Sequence, residues 1–297
     1  MRVGIQLPEV ERVVRWPEIR GMAEAIEGLG FDSIWVGDHL LYEEEGVRSG
    51  PWEAWTQLAA VAAVTRRVEL GPLVAALPFH EPAVLAKIVA TVDEVSGGRL
   101  MVGVGAGWNE VEFRAFGLPY ARRVARFEEA FEILRRLLAG ERFDFEGEFY
   151  RLEGAQLLPP PARPGGPGFM VGSIGPRMLA ATLPHVSAWN VWFDEFGNRP
   201  EGLARPLEAL RRGCEAAGRD PGTVEKTVAV LIQLGPAASR RNSLEPISGS
   251  TAEIAGTLER FAGAGIDAVQ LVLDPITLGS IERAAEVLVD LRGRLSR

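Results

Sequence analysis

The sequence has little of what metal sites and disulfide frameworks need. It contains one cysteine, Cys214, and three histidines, His39, His80 and His185. A single cysteine excludes a disulfide within the chain and a thiolate-rich zinc site, and three histidines leave little room for a histidine metal cluster. We therefore expect no metal, and we interpret Cys214, in the middle of a predicted helix, as a small buried hydrophobic residue.

Long apolar runs and basic clusters are also lacking. No stretch reaches the roughly 18 apolar residues that a membrane helix needs, and the apolar start is too short for a signal peptide because Gly4 and Gln6 interrupt it. Acidic residues outnumber basic ones by 40 to 32, and the formal net charge is -8. Such a chain lacks the phosphate-neutralising charge of a nucleic-acid binder. We expect a cytoplasmic protein whose partner is a small-molecule substrate, with no membrane or nucleic-acid partner.

What the chain does contain is a regular alternation of strand and helix patterns over 297 residues. Eight strand-length apolar runs each precede or follow a helical pattern; they are residues 3–7, 31–36, 68–74, 100–104, 169–171, 185–191, 224–234 and 268–273. This count is that of a (β/α)8 TIM barrel. We therefore predict an α/β fold, one barrel domain over residues 1–297 with insertion loops at the C-terminal face of the strands. Residues 140–168, with a hairpin around Gly147, form one insertion.

Chemistry in such barrels lies at the carboxyl ends of the strands. The second predicted strand ends in Asp38-His39. Histidine is the natural proton carrier near neutral pH, and a neighbouring carboxylate can adjust its pKa. The position favours a catalytic pair, although a turn-capping Asp38 and a structural His39 would give the same residues.

Two further strand ends are rich in glycine. Residues 103–107 alternate glycine with small residues before Trp108, which lets the backbone approach a flat ring or an anion. Residues 172–175 lead into a helix opened by Pro176, where backbone amides and the helix dipole favour a phosphate. Tight packing or a simple Gly-Pro turn would explain the same patterns. Arg99, at the opposite end of the fourth strand, is interpreted as structural.

Six stretches together resemble the bacterial luciferase-like monooxygenase superfamily, and more closely its coenzyme F420-dependent oxidoreductases. They are residues 27–40, 70–74, 96–100, 105–110, 171–175 and 187–190, in the family's order and over nearly the whole chain. The resemblance implies a barrel that holds an isoalloxazine-like ring across its mouth, the carboxyl end of the strands. It also implies a non-proline cis peptide at Leu73–Val74 behind the ring. Trp189-Asn190 would border this site.

The resemblance also implies which residues act. Asp38 and His39 would lie at the reactive face of the ring as catalytic residues, and the turn at residues 172–175 would bind the cofactor phosphate. The implied cofactor-binding residues are Asp38, Leu73, Val74, Ala106, Gly107, Asn109, Gly172, Ser173, Ile174 and Gly175. Family members are often dimers, so a homodimer is a further expectation.

The cofactor decides the reaction. Members that use F420 typically carry Asp-His at the end of the second strand, as here, whereas flavin-using members more often carry Glu-His. The expected function is therefore hydride transfer between F420 and a small organic substrate. An FMN-dependent monooxygenase that uses reduced flavin and oxygen is the alternative, and a non-enzymatic cofactor-binding protein is a third.

One departure from the family pattern concerns the substrate. Trp108 stands where the sugar-phosphate dehydrogenases of the family carry a glutamate, and Glu110 is in a different register. Neither that substrate nor a glutamate proton donor is therefore expected. Ser173 replaces a common glycine but is still small. We expect residues 41–51, 140–168 and 234–250 to select the substrate.

Overall fold

The computed structural model describes residues 1–44, 46–235 and 244–297. Part of the predicted substrate loop at 234–250 therefore lies outside the described residues. Strands and helices alternate along the chain. In order they are β1 (Arg2–Gln6), α1 (Trp16–Gly28), β2 (Ser33–Val36), β3 (Tyr42–Glu44), β4 (Val47–Ser49), α2 (Ala54–Val64), β5 (Glu69–Pro72), β6 (Ala75–Ala76), α3 (Pro82–Ser96), β7 (Met101–Gly105), α4 (Glu110–Ala115), α5 (Arg123–Leu138), β8 (Phe143–Glu146), β9 (Arg151–Ala155), β10 (Gly168–Gly172), α6 (Pro176–Thr182), β11 (Ala188–Val191), α7 (Ala204–Ala216), β12 (Glu225–Gln233), α8 (Thr251–Gly263), β13 (Ala268–Asp274) and α9 (Leu278–Leu295).

Nine of these strands form one parallel sheet, in the order β5-β2-β1-β13-β12-β11-β10-β7-β6. The two ends of this order, β5 and β6, are consecutive parts of one barrel strand. β5 pairs with β2, whereas β6 pairs with β7, and Leu70 in β5 also bridges to Leu100 just before β7. The sheet therefore returns on itself with eight strand positions. This confirms the predicted TIM barrel.

Local sequence signals explain where the helices begin and end. Pro17 and Pro82 lie in the first turns of α1 and α3, where a missing amide hydrogen costs nothing. Gly97 ends α3 in the left-handed region, with φ 68°. A capping box between Ser250 and Glu253 begins α8. Along α5, apolar residues at helical spacing such as Phe127 face the core and are fully buried.

The third barrel strand differs from the prediction. A continuous strand was expected at residues 68–74, but β5 ends at Pro72 and β6 begins at Ala75. The peptide bond between Leu73 and Val74 in this break is cis. The β3–β4 hairpin was also not expected, because its residues are mostly exposed and so show no apolar periodicity.

The predicted insertion at residues 140–168 contains the β8–β9 hairpin. Residues 140–168 connect the end of α5 to the start of β10. Both ends of this segment therefore lie at the base of the barrel, the amino end of the strands, because every helix-to-strand connection lies at that end. The hairpin packs along α5, where Glu129 accepts from the amides of residues 148 and 149, and its tip reaches Arg122, the residue before α5, through Glu148.

Ionic and polar contacts secure the base and interior of the barrel. Arg2 pairs with Glu225 and Glu69. Arg99 donates to the carbonyl oxygens of residues 62, 65, 68 and 96, which supports its structural interpretation. Asn190 donates to Thr227 and Gln270 inside the barrel. Cys214 is buried in α7. Within the described ranges, no helix has both the length and the apolar character needed to span a bilayer.

Candidate active site

His39 lies three residues after the end of β2, at the mouth of the barrel. Its Nδ1 atom is 3.0 Å from Oε1 and 3.2 Å from Oε2 of Glu112. A carboxylate can only accept, so Nδ1 carries the hydrogen. Nε2 lies 3.9 Å from Oε1 of Glu9, beyond hydrogen-bond distance. The side chain is 18% exposed, and its ring packs against Tyr42 and Trp108 at centroid distances of 4.6 and 5.7 Å. His39 is thus held in one orientation but can be reached from the mouth.

Opposing effects act on the pKa of His39. Burial, the largest, lowers it, but the hydrogen bond to Glu112 and the charges of Glu9, Glu112 and Asp38 raise it by more in sum. The pKa therefore lies above the usual value for histidine. A raised pKa favours the protonated ring near neutral pH, the form that can give a proton to a substrate.

Asp38 belongs to a different pair. Its Oδ2 atom accepts from Nε2 of His80 at 2.8 Å and from the backbone amide of Ala76 at 2.9 Å. Asp38 thus makes these hydrogen bonds to His80 and β6 and acts on His39 through its charge. Burial lowers the pKa of His80, but the hydrogen bond and the charge of Asp38 outweigh it, and the pKa is raised. Asp38 and His39 were expected to pair with each other. In the structure each has another partner: Asp38 bonds to His80, and His39 bonds to Glu112.

The segment after His39 is held by Glu112 of α4 and by Asn109, the residue before α4. Glu112 is fully buried, and its Oε2 atom accepts from the backbone amides of Leu40 and Leu41 at 2.8 and 3.3 Å. Asn109 donates to the carbonyl oxygen of Leu41 at 2.8 Å. The structure therefore shows Asn109, implied as a cofactor residue, holding this loop.

Val74 forms an apolar platform at the mouth. It is partly exposed although the residues on both sides are buried. A Cβ atom at Gly103, Gly105 or Gly172 would come within 2.8, 2.8 and 2.9 Å of its side chain, so these glycines make room for Val74. Tight packing, the alternative left open for the glycine run, is thus part of its explanation. Nearby partly exposed residues include Ala106, Gly107 and Ile174. A surface of small apolar groups fits one face of a flat ring.

The turn at residues 172–175 lies beside this platform. Ser173 Oγ accepts from the amide of Gly175 at 3.0 Å, and the indole of the buried Trp189 donates to the carbonyl of Ser173 at 2.8 Å. α6 begins directly after Gly175, which has no side chain to cap it. The first amides of α6 therefore lack intrahelical partners, a donor set that fits a phosphate. Arg177 pairs with Glu128 on α5 instead of facing the turn.

Sequence reasoning missed four polar side chains of this site: Glu9, Tyr42, His80 and Glu112. They come from four separate segments, and no short motif joins them. Glu112 lies next to the fully buried Phe113, the one local sign that it faces inward. Among residues 1–44, 46–235 and 244–297, no group of three or more His, Cys, Asp or Glu residues could hold a metal ion.

Comparison with known proteins identifies the family. Residues 1–279 match the luciferase-like monooxygenase family, and the chain belongs to it. The chain is 33% identical over 181 residues to 5,10-methylenetetrahydromethanopterin reductase of Archaeoglobus fulgidus, covering 60% of this chain and 49% of that protein. It is 34% identical over 224 residues to the phthiodiolone/phenolphthiodiolone dimycocerosates ketoreductase of Mycobacterium tuberculosis, covering 69% and 58%. The chain thus spans about half the length of the curated relatives it matches.

Solved structures show the same fold. An F420-dependent secondary alcohol dehydrogenase in complex with an F420-acetone adduct has a TM-score of 0.81 at 20% identity, covering 98% of both chains. A monooxygenase from Streptomyces bottropensis has a TM-score of 0.79 at 24% identity, covering 98% of this chain and 99% of the other. Deazaflavin and oxygenase chemistry thus both occur on this fold. The family defines the class of this chain as a luciferase-like oxidoreductase or monooxygenase.

Proposed function

We propose that this chain is an oxidoreductase that transfers a hydride between coenzyme F420 and a small organic substrate. The observation that carries the proposal is His39, whose Nδ1 is fixed by Glu112 and whose raised pKa suits a proton donor at the mouth. Reduction of a carbonyl group needs a proton as well as a hydride. The curated relatives named above are a reductase and a ketoreductase, which supports the same direction.

Each part of the site would have a separate task. Val74, Ala106 and Ile174 would support the ring, and the turn at residues 172–175 would bind the phosphate. When bound, the deazaflavin supplies a carbon centre that gives or takes a hydride. His39 would exchange the balancing proton at Nε2, because Nδ1 is committed to Glu112. Asp38 would hold β6 behind the platform through the amide of Ala76.

An FMN-dependent monooxygenase is the alternative function, since the family includes such enzymes and a flavin has nearly the same shape. The platform and the phosphate turn would serve either cofactor. What favours F420 is the Asp38-His39 sequence and the reductase relatives. The cytoplasmic location and the homodimer stay predictions.

Direct titration separates the two cofactors. We expect F420, followed by its ring fluorescence, to bind more tightly than FMN under the same conditions. Reduced F420 should then be oxidised in the presence of a ketone, an activated enone or a nitroaromatic compound. A higher affinity for FMN, with oxygen consumption on addition of reduced FMN, would move the monooxygenase ahead.

A further inference from the structure

We propose that Glu112 is a positioning residue for proton exchange by His39: its carboxylate fixes the tautomer of the ring and so leaves Nε2 as the atom that faces the substrate. The inference rests on the function proposed above and deepens it. It concerns a residue from α4, a six-residue helix with no apolar repeat in the sequence.

Three donors converge on this one carboxylate. Oε1 accepts a hydrogen bond from His39 Nδ1 at 3.0 Å, while Oε2 accepts hydrogen bonds from the amides of Leu40 and Leu41. The side chain is fully buried, so these partners replace its solvation. The two oxygens of a carboxylate accept from all three donors at once, which the single oxygen of an amide cannot do while its NH2 group faces His39.

Replacement by an amide makes the argument testable. In Glu112→Gln, the single oxygen would stay with the two backbone amides, and the NH2 group would face His39. Nδ1 would then have to accept, which moves the hydrogen of the neutral ring to Nε2. The protonated ring carries hydrogen on both nitrogens, so its Nδ1–H would meet the NH2 group of the new amide, donor against donor. The protonated form would therefore lose its stabilisation.

Other charged and titratable groups also face His39, and they do not dictate its tautomer. Glu9 precedes α1 and lies 3.9 Å from Nε2, Asp38 is the preceding residue, and Tyr42 of β3 packs on the ring. Their effect on the pKa of His39 remains in the Glu112→Gln variant. Glu112 is the carboxylate at hydrogen-bond distance from Nδ1, so the tautomer reports on Glu112 specifically.

The test uses the cofactor-free chain labelled with 15N-histidine, with the His39 signals assigned by comparison with His39→Asn. We expect the neutral wild-type ring to carry its hydrogen on Nδ1. Glu112→Gln should move it to Nε2 and lower the pKa of His39. Glu110→Gln is the matched control, since Glu110 lies on the same helix but is exposed, and it should change neither.

Kinetics gives a second measurement. If His39 is the acid, Glu112→Gln should lower kcat about tenfold or more and shift the basic limb of its pH profile to lower pH, with a smaller change in KM. Glu112→Asp keeps the charge and should retain part of the elevated pKa and of kcat.

Specific outcomes overturn the inference. An unchanged tautomer and pKa of His39 in folded Glu112→Gln would show that Glu112 only holds the loop. If Glu112→Gln does not fold, the same conclusion follows from an Asp variant that folds and loses activity with unchanged His39 signals. Should F420 fail to bind while the tautomer still reverses in Glu112→Gln, the positioning role stands and the proposed function fails.

Discussion

Two histidines at the mouth differ in what they hold. In His39, Nδ1 bonds to Glu112 and Nε2 lies 3.9 Å from Glu9. His80 is bonded to Asp38, which in turn accepts from the amide of Ala76. The first arrangement suits proton exchange, and the second suits the support of β6. Substitutions at the two positions should therefore have different consequences.

His39→Asn should lower kcat by roughly 10²–10⁴-fold, because an amide can form hydrogen bonds but cannot carry the proton. The affinity for F420 should change much less, since the platform and the phosphate turn lie on other strands. Single-turnover oxidation of reduced F420 would measure the rate. His185→Asn, at an exposed site before β11, is the control. Near wild-type turnover in His39→Asn would mean that solvent or substrate supplies the proton.

His80 should make the stability of the fold depend on pH. Its pKa is raised in the folded chain, so its contribution is complete below the ordinary value of about 6.5 and is lost as pH rises through the folded value. The free energy of unfolding of the wild type should thus fall above about pH 6.5. In His80→Gln it should fall less over the same pH range. Urea titrations at several pH values would measure how the free energy of unfolding changes with pH in both proteins. The same pH dependence in the wild type and in His80→Gln would contradict the coupling between His80 and Asp38.

At the residue level the sequence predicted positions but not partners. Asp38, His39 and Val74 were placed at strand ends because strand boundaries follow from apolar periodicity. That Asp38 bonds to His80, 42 residues away, depends on how two loops meet in space. No local pattern contains that information.

Among the elements, the close approach of β5, β7 and β10 depends on glycine. A Cβ atom at Gly103 would lie 2.2 Å from the carbonyl oxygen of Pro72 and 2.8 Å from Val74. Neither neighbour is the flexible end of a long side chain, so the strands themselves would have to move.

Gly103→Ala should therefore destabilise the chain, by about 1–3 kcal/mol or more. Gly21→Ala is the matched control, because Gly21 lies inside α1 with open space around it. That variant should be stabilised by up to about 1 kcal/mol. Chemical denaturation of both variants would measure the difference. Equal stabilities of the two variants would show that β7 can shift without cost.

The turn between β10 and α6 can be tested without disturbing Val74. Ser173→Asp and Ser173→Asn both keep an oxygen that can accept from the amide of Gly175, as Ser173 does now. Only the Asp variant adds a negative charge, which would repel a phosphate. We expect the Asp variant to bind F420 at least about tenfold more weakly than the Asn variant. Equal affinities would remove the phosphate assignment.

For the elements, sequence periodicity was sufficient where many residues are buried together. The long helices and the barrel strands each repeat an apolar pattern several times. The β3–β4 hairpin and the six-residue α4 have little or no such repeat. For that reason they were missed, although both lie next to His39.

Over the whole molecule, the two ends of the strands have different roles. At the base, Arg2 and Arg99 join strands and helices through ion pairs and carbonyl oxygens. At the mouth, buried carboxylates bond to histidines instead. The alternation of eight strand and helix patterns in the sequence was enough to predict the barrel. The network at the mouth was not predictable, because it joins residues far apart in the sequence that follow four neighbouring strands, β1, β2, β6 and β7.

The two amides that donate to Glu112 have a consequence for exchange with solvent. Residues 40 and 41 lie in a loop, where amide hydrogens ordinarily exchange with deuterium rapidly. Here their acceptor is a fully buried carboxylate, so exchange requires α4 to move away from the loop. The rate of deuterium uptake at these two positions therefore reports how often the mouth opens. The measurement needs neither substrate nor cofactor.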